Sequence, residues 1–252
     1  MQALPVIMAV MTRMFKLALD AGHGINTAGK RCLKSLDSKE TREWTLNSRI
    51  ANYIEEYLKE YEGYEVLRLD DKDDGKTDIP LATRTTKANS WGADFYLSVH
   101  HNAGLNGGSG GGITIFTHPN AKGAAVEWRN ELYDSLIKHT GLKGNRASPK
   151  GTYNFHVLRE TKMPAVLVEL GFMDSKTDVP IILKDDHARA CAKAIVETIV
   201  KRGGLKKKTV STVTTSKKLY RVQVGAFAEK SNAEKLAKEL TAKGYPTIIK
   251  AD

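Results

Sequence analysis

The sequence predicts an α/β protein, with a twisted, mostly parallel sheet flanked by helices and a small C-terminal strand-helix-strand (βαβ) unit. Three observations predict it. Apolar, β-branched runs of strand length alternate with longer segments of helical periodicity, as in crossover units. The periodicity stops in residues 203–218, which are rich in Lys, Ser and Thr, and resumes in a short final segment. With 252 residues, 41% of them hydrophobic, the chain can form one ordinary domain and a small second one.

The main sheet is predicted from five apolar segments bounded by polar or turn residues. These segments are FKLALD (15–20), YEVLRLD (64–70), DFYLSVH (94–100), GITIFT (112–117) and PAVLVEL (164–170). Helical patterns lie between them. Leu46, Ile50, Ile54 and Leu58 recur every four residues, which predicts a helix from Glu43 to Tyr61. Further helices are predicted near 82–90, 121–139 and 186–202.

The domain boundaries follow from where these patterns begin and end. Residues 1–14 are an N-terminal extension, 15–202 the main domain, 203–218 a basic linker and 219–252 the small C-terminal unit. In that unit LYRVQVGAF alternates as a strand does, SNAEKLAKELTAKG has a helix cap at each end, and YPTIIKA predicts a second strand. One unit of this size can barely bury a core by itself.

The formal charge of +10 is concentrated in the tail. Residues 1–200 hold 26 basic and 25 acidic residues, whereas residues 201–252 hold 13 and 4. Any polyanion is therefore expected to meet the tail and not the main domain, and we expect neither nucleic acid nor membrane as a partner. The two cysteines, Cys32 and Cys191, are too few for a disulfide framework. The first residues lack the basic start and cleavage site of a secretory signal, which predicts synthesis in the cytoplasm.

Three chemically active side chains are placed at strand ends. His23 follows the first strand, His100 ends the third, and Glu169 lies near the end of the fifth. In open α/β sheets ligands bind at the carboxyl ends of the strands, so these side chains are expected to converge. Two histidines and a glutamate have the composition of a catalytic zinc site, which takes three protein ligands and leaves a position for water.

A further carboxylate outside the ligand set is needed to move protons, so Glu169 leaves one ligand to be found. Two glutamates are available, Glu40 and Glu43, in SKETREWTLNSRI. Glu43 lies in the first turn of a predicted helix and Glu40 in the loop before it. We favour Glu43, because helices hold ligands more precisely than loops do.

These segments resemble a known family. LALDAGHG, the glutamate of EWTLN (Glu43), ADFYLSVHHNA and MPAVLVELGF resemble, in order, the blocks of the zinc-dependent N-acetylmuramoyl-L-alanine amidases. The resemblance covers roughly residues 15–200. It implies one Zn²⁺ held by His23, Glu43 and His100, with Glu169 as the catalytic carboxylate, and hydrolysis of the amide bond between the lactyl group and L-alanine of bacterial peptidoglycan. The family's usual Asp-Pro-Gly-His-Gly-Gly is Asp20-Ala-Gly-His-Gly-Ile here.

The tail resembles half of a SPOR-type peptidoglycan-binding repeat, in YRVQVGAFAEKSNAEKLAKELTAKGY. The resemblance implies binding to denuded glycan strands; the charge alone implies binding to anionic wall polymers. A full domain of this kind has two such halves, which leaves three alternatives: two chains share one domain as a dimer through the tail, the single half binds weakly, or the tail is an electrostatic anchor. An endolysin-like enzyme of this kind would act on the cell wall after release from a cell.

Other functions remain open at this stage. A different zinc peptidase could use the same ligands to cut within the stem peptide, and a non-catalytic wall-binding protein would explain the tail alone. GGSGG, at 107–111, formally matches a serine nucleophile elbow, but Ser109 lies between two strands and not between a strand and a helix. The glycines predict a mobile lip over the substrate crevice instead.

Overall fold

The computed structural model describes residues 13–209, 222–245 and 247–250. The chain forms two compact units, Met1–Lys208 and Thr209–Asp252. The strands are β1 (Phe15–Ala21), β2 (Tyr61–Glu62), β3 (Tyr64–Arg68), β4 (Phe95–Asn102), β5 (Ile113–Thr117), β6 (Lys150–Thr152), β7 (Ala165–Phe172) and β8 (Lys206–Lys207). The helices are α1 (Glu43–Leu58), α2 (Leu81–Trp91), α3 (Ala124–Thr140), α4 (His156–Arg159), α5 (Val179–Ile182), α6 (Asp185–Gly203) and α7 (Lys230–Ala242).

Six strands form the main sheet, in the order β3-β1-β4-β7-β5-β6. The strands β3, β1, β4 and β7 pair in parallel, and β5 is antiparallel to β7. The predicted mostly parallel sheet is therefore confirmed, and β5 and β6, which pair in parallel with each other, run opposite to the other four strands. The short strands β2 and β8 form a separate antiparallel pair.

The two faces of the sheet are covered differently. On one face Leu17, Leu97 and Val168 pack in a large core with α1, α3 and α6. On the other face Ala18, Tyr96 and Leu167 form a smaller core, against which α2 and α4 pack. All eight residues of β7 are buried, which explains why its sequence is a continuous apolar run without alternation. Both cysteines, Cys32 and Cys191, are free and buried.

Every strand and helix predicted for the main domain is present, with shifts of a few residues at the ends. Five short elements were not predicted, each of no more than four residues: β2, β6, β8, α4 and α5. Part of the predicted linker is folded as well. Lys206–Lys207 pairs with Tyr61–Glu62, and the first compact unit ends at Lys208 instead of residue 202. The rest of that segment, 210–218, and most of the N-terminal extension lie outside the described residues.

The predicted helix of the C-terminal unit is present as α7. The two strands predicted beside it lie partly outside the described residues, and their described parts, 222–227 and 247–250, have no strand pairing. A strand needs a neighbouring strand for its backbone groups, and one half repeat offers few. No helix within the described residues is long and apolar enough to cross a membrane.

Candidate metal centre

His23 occupies a backbone conformation that side-chain-bearing residues rarely adopt, with φ at +68°. It follows β1 directly, after Gly22, whose N–H donates to the carbonyl of Val99 at 2.9 Å and so continues the pairing with β4. A Cβ atom at Gly22 would lie 2.0 Å from the imidazole of His100. The glycine before His23 is therefore required by the close approach of the second histidine.

Glu43 is the first residue of α1 and is almost fully buried. Its Oε1 lies 3.0 Å from Nδ1 of His100 and accepts a hydrogen bond from the backbone N–H of His101 at 3.2 Å. Its Oε2 lies 3.4 Å from Nε2 of His23 and 3.6 Å from the Lys30 ammonium. The carboxylate therefore lies between the two histidines, with one oxygen toward each.

The ligand atoms of His23, Glu43 and His100 all lie within 4.8 Å of one another. Two of them, Nε2 of His23 and Oε2 of Glu43, are buried without a hydrogen-bond partner. Buried polar atoms left without a partner are costly, and a cation would satisfy both. Two imidazoles and one carboxylate are also the donor set of a catalytic zinc site, so these residues fit the metal.

The carboxylate of Glu43 and the imidazole of His100 shift each other's pKa. Burial of Glu43 raises its pKa, but its hydrogen bond with His100 and the nearby His100 and His23 imidazoles outweigh this and hold the pKa well below its usual range. Burial lowers the pKa of His100, yet the hydrogen bond to Glu43 leaves it raised. The triad therefore holds its carboxylate ionised, which is the form that binds a metal.

Glu169 lies beside the triad and outside it. In the sheet its residue pairs directly with His100, and its Oε2 is buried without a hydrogen-bond partner. Burial raises the pKa of Glu169 to about 8, with the His100 charge opposing the rise. A carboxyl group whose pKa lies near neutrality is suited to accept and return protons.

Glu40, the alternative ligand, is not brought to the triad. It is partly exposed and forms an ion pair with Arg31 at 3.0 Å. The structure therefore brings together His23, Glu43, His100 and Glu169 from the sequence-based set.

Arg84, on α2, was not recognised from the sequence. It is fully buried and contacts the turn that carries His23. Its Nη2 donates to the carbonyl of His23 at 3.0 Å and its Nη1 to that of Ala21 at 2.9 Å. The same guanidinium pairs with the carboxylates of Asp20 and Asp78. A charged residue in a helix usually indicates an exposed face, and nothing in the sequence distinguishes Arg84 from its charged neighbours.

Behind the triad, His101 and Asn47 form a second polar layer. Nδ1 of His101 lies 2.8 Å from Oδ1 of Asn47, whose amide donates to the carbonyl of Gly22 at 3.2 Å. Burial lowers the pKa of His101 to about 3, so this histidine is neutral. It is buried on the opposite side of the strand from His100, and so lies outside the triad.

The glycine-rich segment borders the site and is held in place. Oδ2 of Asp174 accepts hydrogen bonds from the backbone N–H groups of Gly104, Leu105 and Asn106, at 2.6–2.8 Å. Oδ2 of Asp178 accepts another from Gly112 at 2.7 Å. The segment is therefore more constrained than the mobile lip that its composition predicts.

Comparison with known proteins agrees with this geometry. Residues 17–201 match the family model described as N-acetylmuramoyl-L-alanine amidase, and residues 192–252 match that of the SPOR domain. The chain belongs to the N-acetylmuramoyl-L-alanine amidase family. This amidase is a peptidoglycan hydrolase that cleaves the amide bond between the lactyl group and L-alanine.

The amidase is similar to curated enzymes over most of its length. It is 33% identical over 237 residues to the sporulation-specific N-acetylmuramoyl-L-alanine amidase of Bacillus subtilis (strain 168), covering 94% of this chain and 84% of that protein. It is 32% identical over 238 residues to the amidase CwlM of Bacillus licheniformis, covering 94% and 85%.

Solved structures share the fold of the amidase. The catalytic domain of CwlV from Bacillus (Paenibacillus) polymyxa var. colistinus aligns with a TM-score of 0.67 and 27% identity, over 77% of this chain and all of that one. The amidase of Clostridium difficile 630 aligns with a TM-score of 0.66 and 26% identity, over 75% and 96%. The alpha/beta architecture predicted from the sequence is therefore that of the family.

Proposed function

We propose that this amidase uses one zinc ion held by His23, Glu43 and His100, with Glu169 as its proton carrier. The observation that carries the proposal is the triad itself, in which three ligand atoms lie within 4.8 Å and two of them are buried without partners. Zinc in a site of this kind supplies Lewis acidity, which lowers the pKa of water to about 7 and polarises the scissile carbonyl.

Glu169 would accept the proton of the attacking water and return it to the leaving amine of L-alanine. Its place beside His100 in the sheet supports this role, because a general base must lie within hydrogen-bond reach of the reacting water. The unpartnered Oε2 is free to accept that proton, and burial already brings its pKa near neutrality. Gly22 leaves room for the imidazole of His100, and Oε1 of Glu43 lies 3.0 Å from Nδ1 of that ring, so the side chains of the triad already lie close together.

A wall digest tests the need for the metal and the identity of the bond that is cleaved. Purified amidase is incubated with peptidoglycan with and without a chelator, and product masses are measured. We expect free stem peptides and peptide-free glycan, with loss of activity in chelator and recovery on adding zinc. Products cut within the stem peptide would contradict the assignment of the cleaved bond. Full activity in chelator would contradict the requirement for a metal.

The role of Glu169 is tested by Glu169→Gln. This variant should retain the metal, because Glu169 is outside the ligand set, and lose activity by a factor of about 10² to 10⁴. A comparison of bound zinc with the digestion rate separates the two roles. If Glu169→Gln digests walls at the normal rate, Glu169 has no catalytic part.

For the tail we propose that α7 and its flanking segments form half of a glycan-binding module that is completed by a second chain. The match to the SPOR domain supports peptidoglycan as its ligand. The exposure of Val222, Val224 and Ile248, at 63–95%, supports completion by a partner, since apolar side chains of a finished domain are mostly covered. The preferred ligand would be the peptide-free glycan that the amidase itself produces.

A further inference from the structure

An aromatic cluster lies on the same face of the sheet as Glu169. It consists of Phe116 on β5, Tyr153 just after β6 and Phe155 just before α4. The rings of Tyr153 and Phe155 stack with centroids 4.2 Å apart, and Phe116 meets Phe155 edge to face at 5.9 Å. These three side chains have no part in the metal centre.

Strand register connects the cluster to the catalytic carboxylate. Thr114 pairs with Glu169 and Phe116 with Leu167, so the two pairs are successive positions on one face. Strand geometry then gives roughly 8 Å between the backbone positions of Glu169 and Phe116. A substrate held at Glu169 therefore extends over this cluster if it follows the sheet toward β6.

This part of the face is only partly covered, with Phe116 and Phe155 half-buried against the smaller core. Phe116 is partly exposed, whereas its neighbour Ile115, on the opposite face, is fully buried. A Cβ atom at Gly151, the partner of Phe116 on β6, would lie 3.0 Å from the Phe116 ring. The absence of a side chain there lets the phenyl ring lie over the edge strand.

Tyr153 is the exposed member of the cluster. Tyr153 is 56% exposed, whereas every other Phe, Tyr and Trp in residues 13–209 is half-buried or buried. Exposing an aromatic ring forgoes the large burial energy that such rings usually contribute. The ring is nevertheless held by its stack on Phe155, so little conformational entropy is lost when a ligand covers it.

We propose that Tyr153, supported by Phe155 and Phe116, is a subsite that stacks on a sugar ring of the glycan strand. The axial C–H groups of a pyranose form an apolar face that fits a flat aromatic ring. The amidase substrate carries such rings directly beside the scissile lactyl group. This inference rests on the proposed function only in taking Glu169 to mark the reacting bond.

The test compares Tyr153→Ala with Tyr153→Phe in the full chain on two soluble substrates. One is a glycan fragment that carries stem peptides, and the other is a stem peptide that carries only the lactyl group. For the glycan substrate we expect Tyr153→Ala to raise KM about 10-fold with little change in kcat, and Tyr153→Phe to behave as wild type. The lactyl peptide should be hydrolysed equally by all three proteins.

Tyr53→Ala is the matched control. Tyr53 stacks on Tyr57 at 6.2 Å in α1, which packs on the opposite face of the sheet, so its loss should leave both KM values unchanged. If Tyr153→Ala raises KM equally for both substrates, the cluster binds peptide and the proposal is wrong. An unchanged KM for the glycan substrate would also overturn it. Failure of the catalytic assignment would instead appear as normal activity in Glu169→Gln.

Discussion

His23 lies between two glycines in a turn that the surrounding contacts hold in an unusual conformation. Its left-handed backbone costs roughly 1–3 kcal/mol, and such a conformation persists only where surrounding contacts enforce it. Arg84 supplies these contacts, because it donates to the carbonyls of Ala21 and His23 while it pairs with Asp20. Arg84, which lies outside the triad, therefore fixes the backbone that positions His23.

The ligand set predicts the metal content of single variants. His23→Ala, Glu43→Ala and His100→Ala should each lose most of the zinc, because a site with three protein ligands binds weakly through two. Metal analysis after dialysis measures this directly. Glu40→Ala is the matched control and should keep its zinc, since Glu40 pairs with Arg31 at the surface. The reverse result for the two glutamates would make Glu40 the ligand.

Arg84 predicts a large loss of stability. Arg84→Met leaves the buried carboxylate of Asp20 without its cation, which should lower the free energy of unfolding by about 3–5 kcal/mol. Chemical denaturation measures this value. Adding Asp20→Asn removes the unpaired charge, so the double variant should recover part of the loss. A double variant no more stable than Arg84→Met would show that Asp20 does not depend on this cation.

At the scale of secondary-structure elements, the sequence predicted the strands and helices that have long apolar patterns. The five segments that became β1, β3, β4, β5 and β7 have clear length and bounds, and their ends located His23, His100 and Glu169. The strand β6 is three residues of Lys-Gly-Thr, which carries no such pattern. The antiparallel direction of β5 and the burial of Arg84 depend on contacts between distant segments, which local periodicity does not contain.

The glycine-rich segment depends on one carboxylate more than on its own sequence. Three consecutive N–H groups, those of Gly104, Leu105 and Asn106, donate to Asp174. The segment follows β4 directly, and β4 carries His100. Asp174, which lies just after the end of β7, therefore orders the glycine-rich segment.

Asp174→Ala should release the segment without removing the metal. We expect a loss of about 2–3 kcal/mol in unfolding free energy, because these bonds end on a charged acceptor. Hydrogen exchange at residues 104–106 should become faster, while zinc content stays normal. Asp73→Ala, at an exposed carboxylate, should change stability by less than about 0.5 kcal/mol. Unchanged exchange at these three amides would show that Asp174 does not order the segment.

At the scale of the whole molecule, the two units differ in charge density and in burial. The net charge is +6 over the 208 residues of the first unit and +4 over the 44 residues of the second. The amidase unit has its own large core, whereas α7 has no buried residue. A small basic unit with exposed apolar side chains is suited to bind a large partner such as a cell-wall polymer.

The tail predicts a separation of binding from catalysis. A chain that ends at Lys208 should hydrolyse small soluble fragments at the normal rate and bind intact walls poorly, because the first compact unit is complete at that residue. Pelleting with purified walls and assays on soluble fragments measure the two properties. Equal wall binding by the shortened and full chains would remove the targeting role.

The nature of that binding is tested with salt and sedimentation. For a recognition module completed by two chains, binding should persist above physiological salt, favour peptide-free glycan and accompany self-association. A simple polycation would lose its affinity, because exposed charges are screened within about 8 Å at ~0.15 M salt. Loss of binding in salt by a chain that stays monomeric would favour the charge alone.

The burial of the two thiols bears on the redox conditions in which the fold is stable. Burial raises the pKa of Cys32 to about 12, and burial also raises that of Cys191. Oxidants react with the thiolate, which is scarce at such pKa values, and neither sulfur is accessible from the surface. The folded amidase therefore has no disulfide, and its two buried thiols are not available to form one. Its stability should be the same in reducing and in oxidising surroundings.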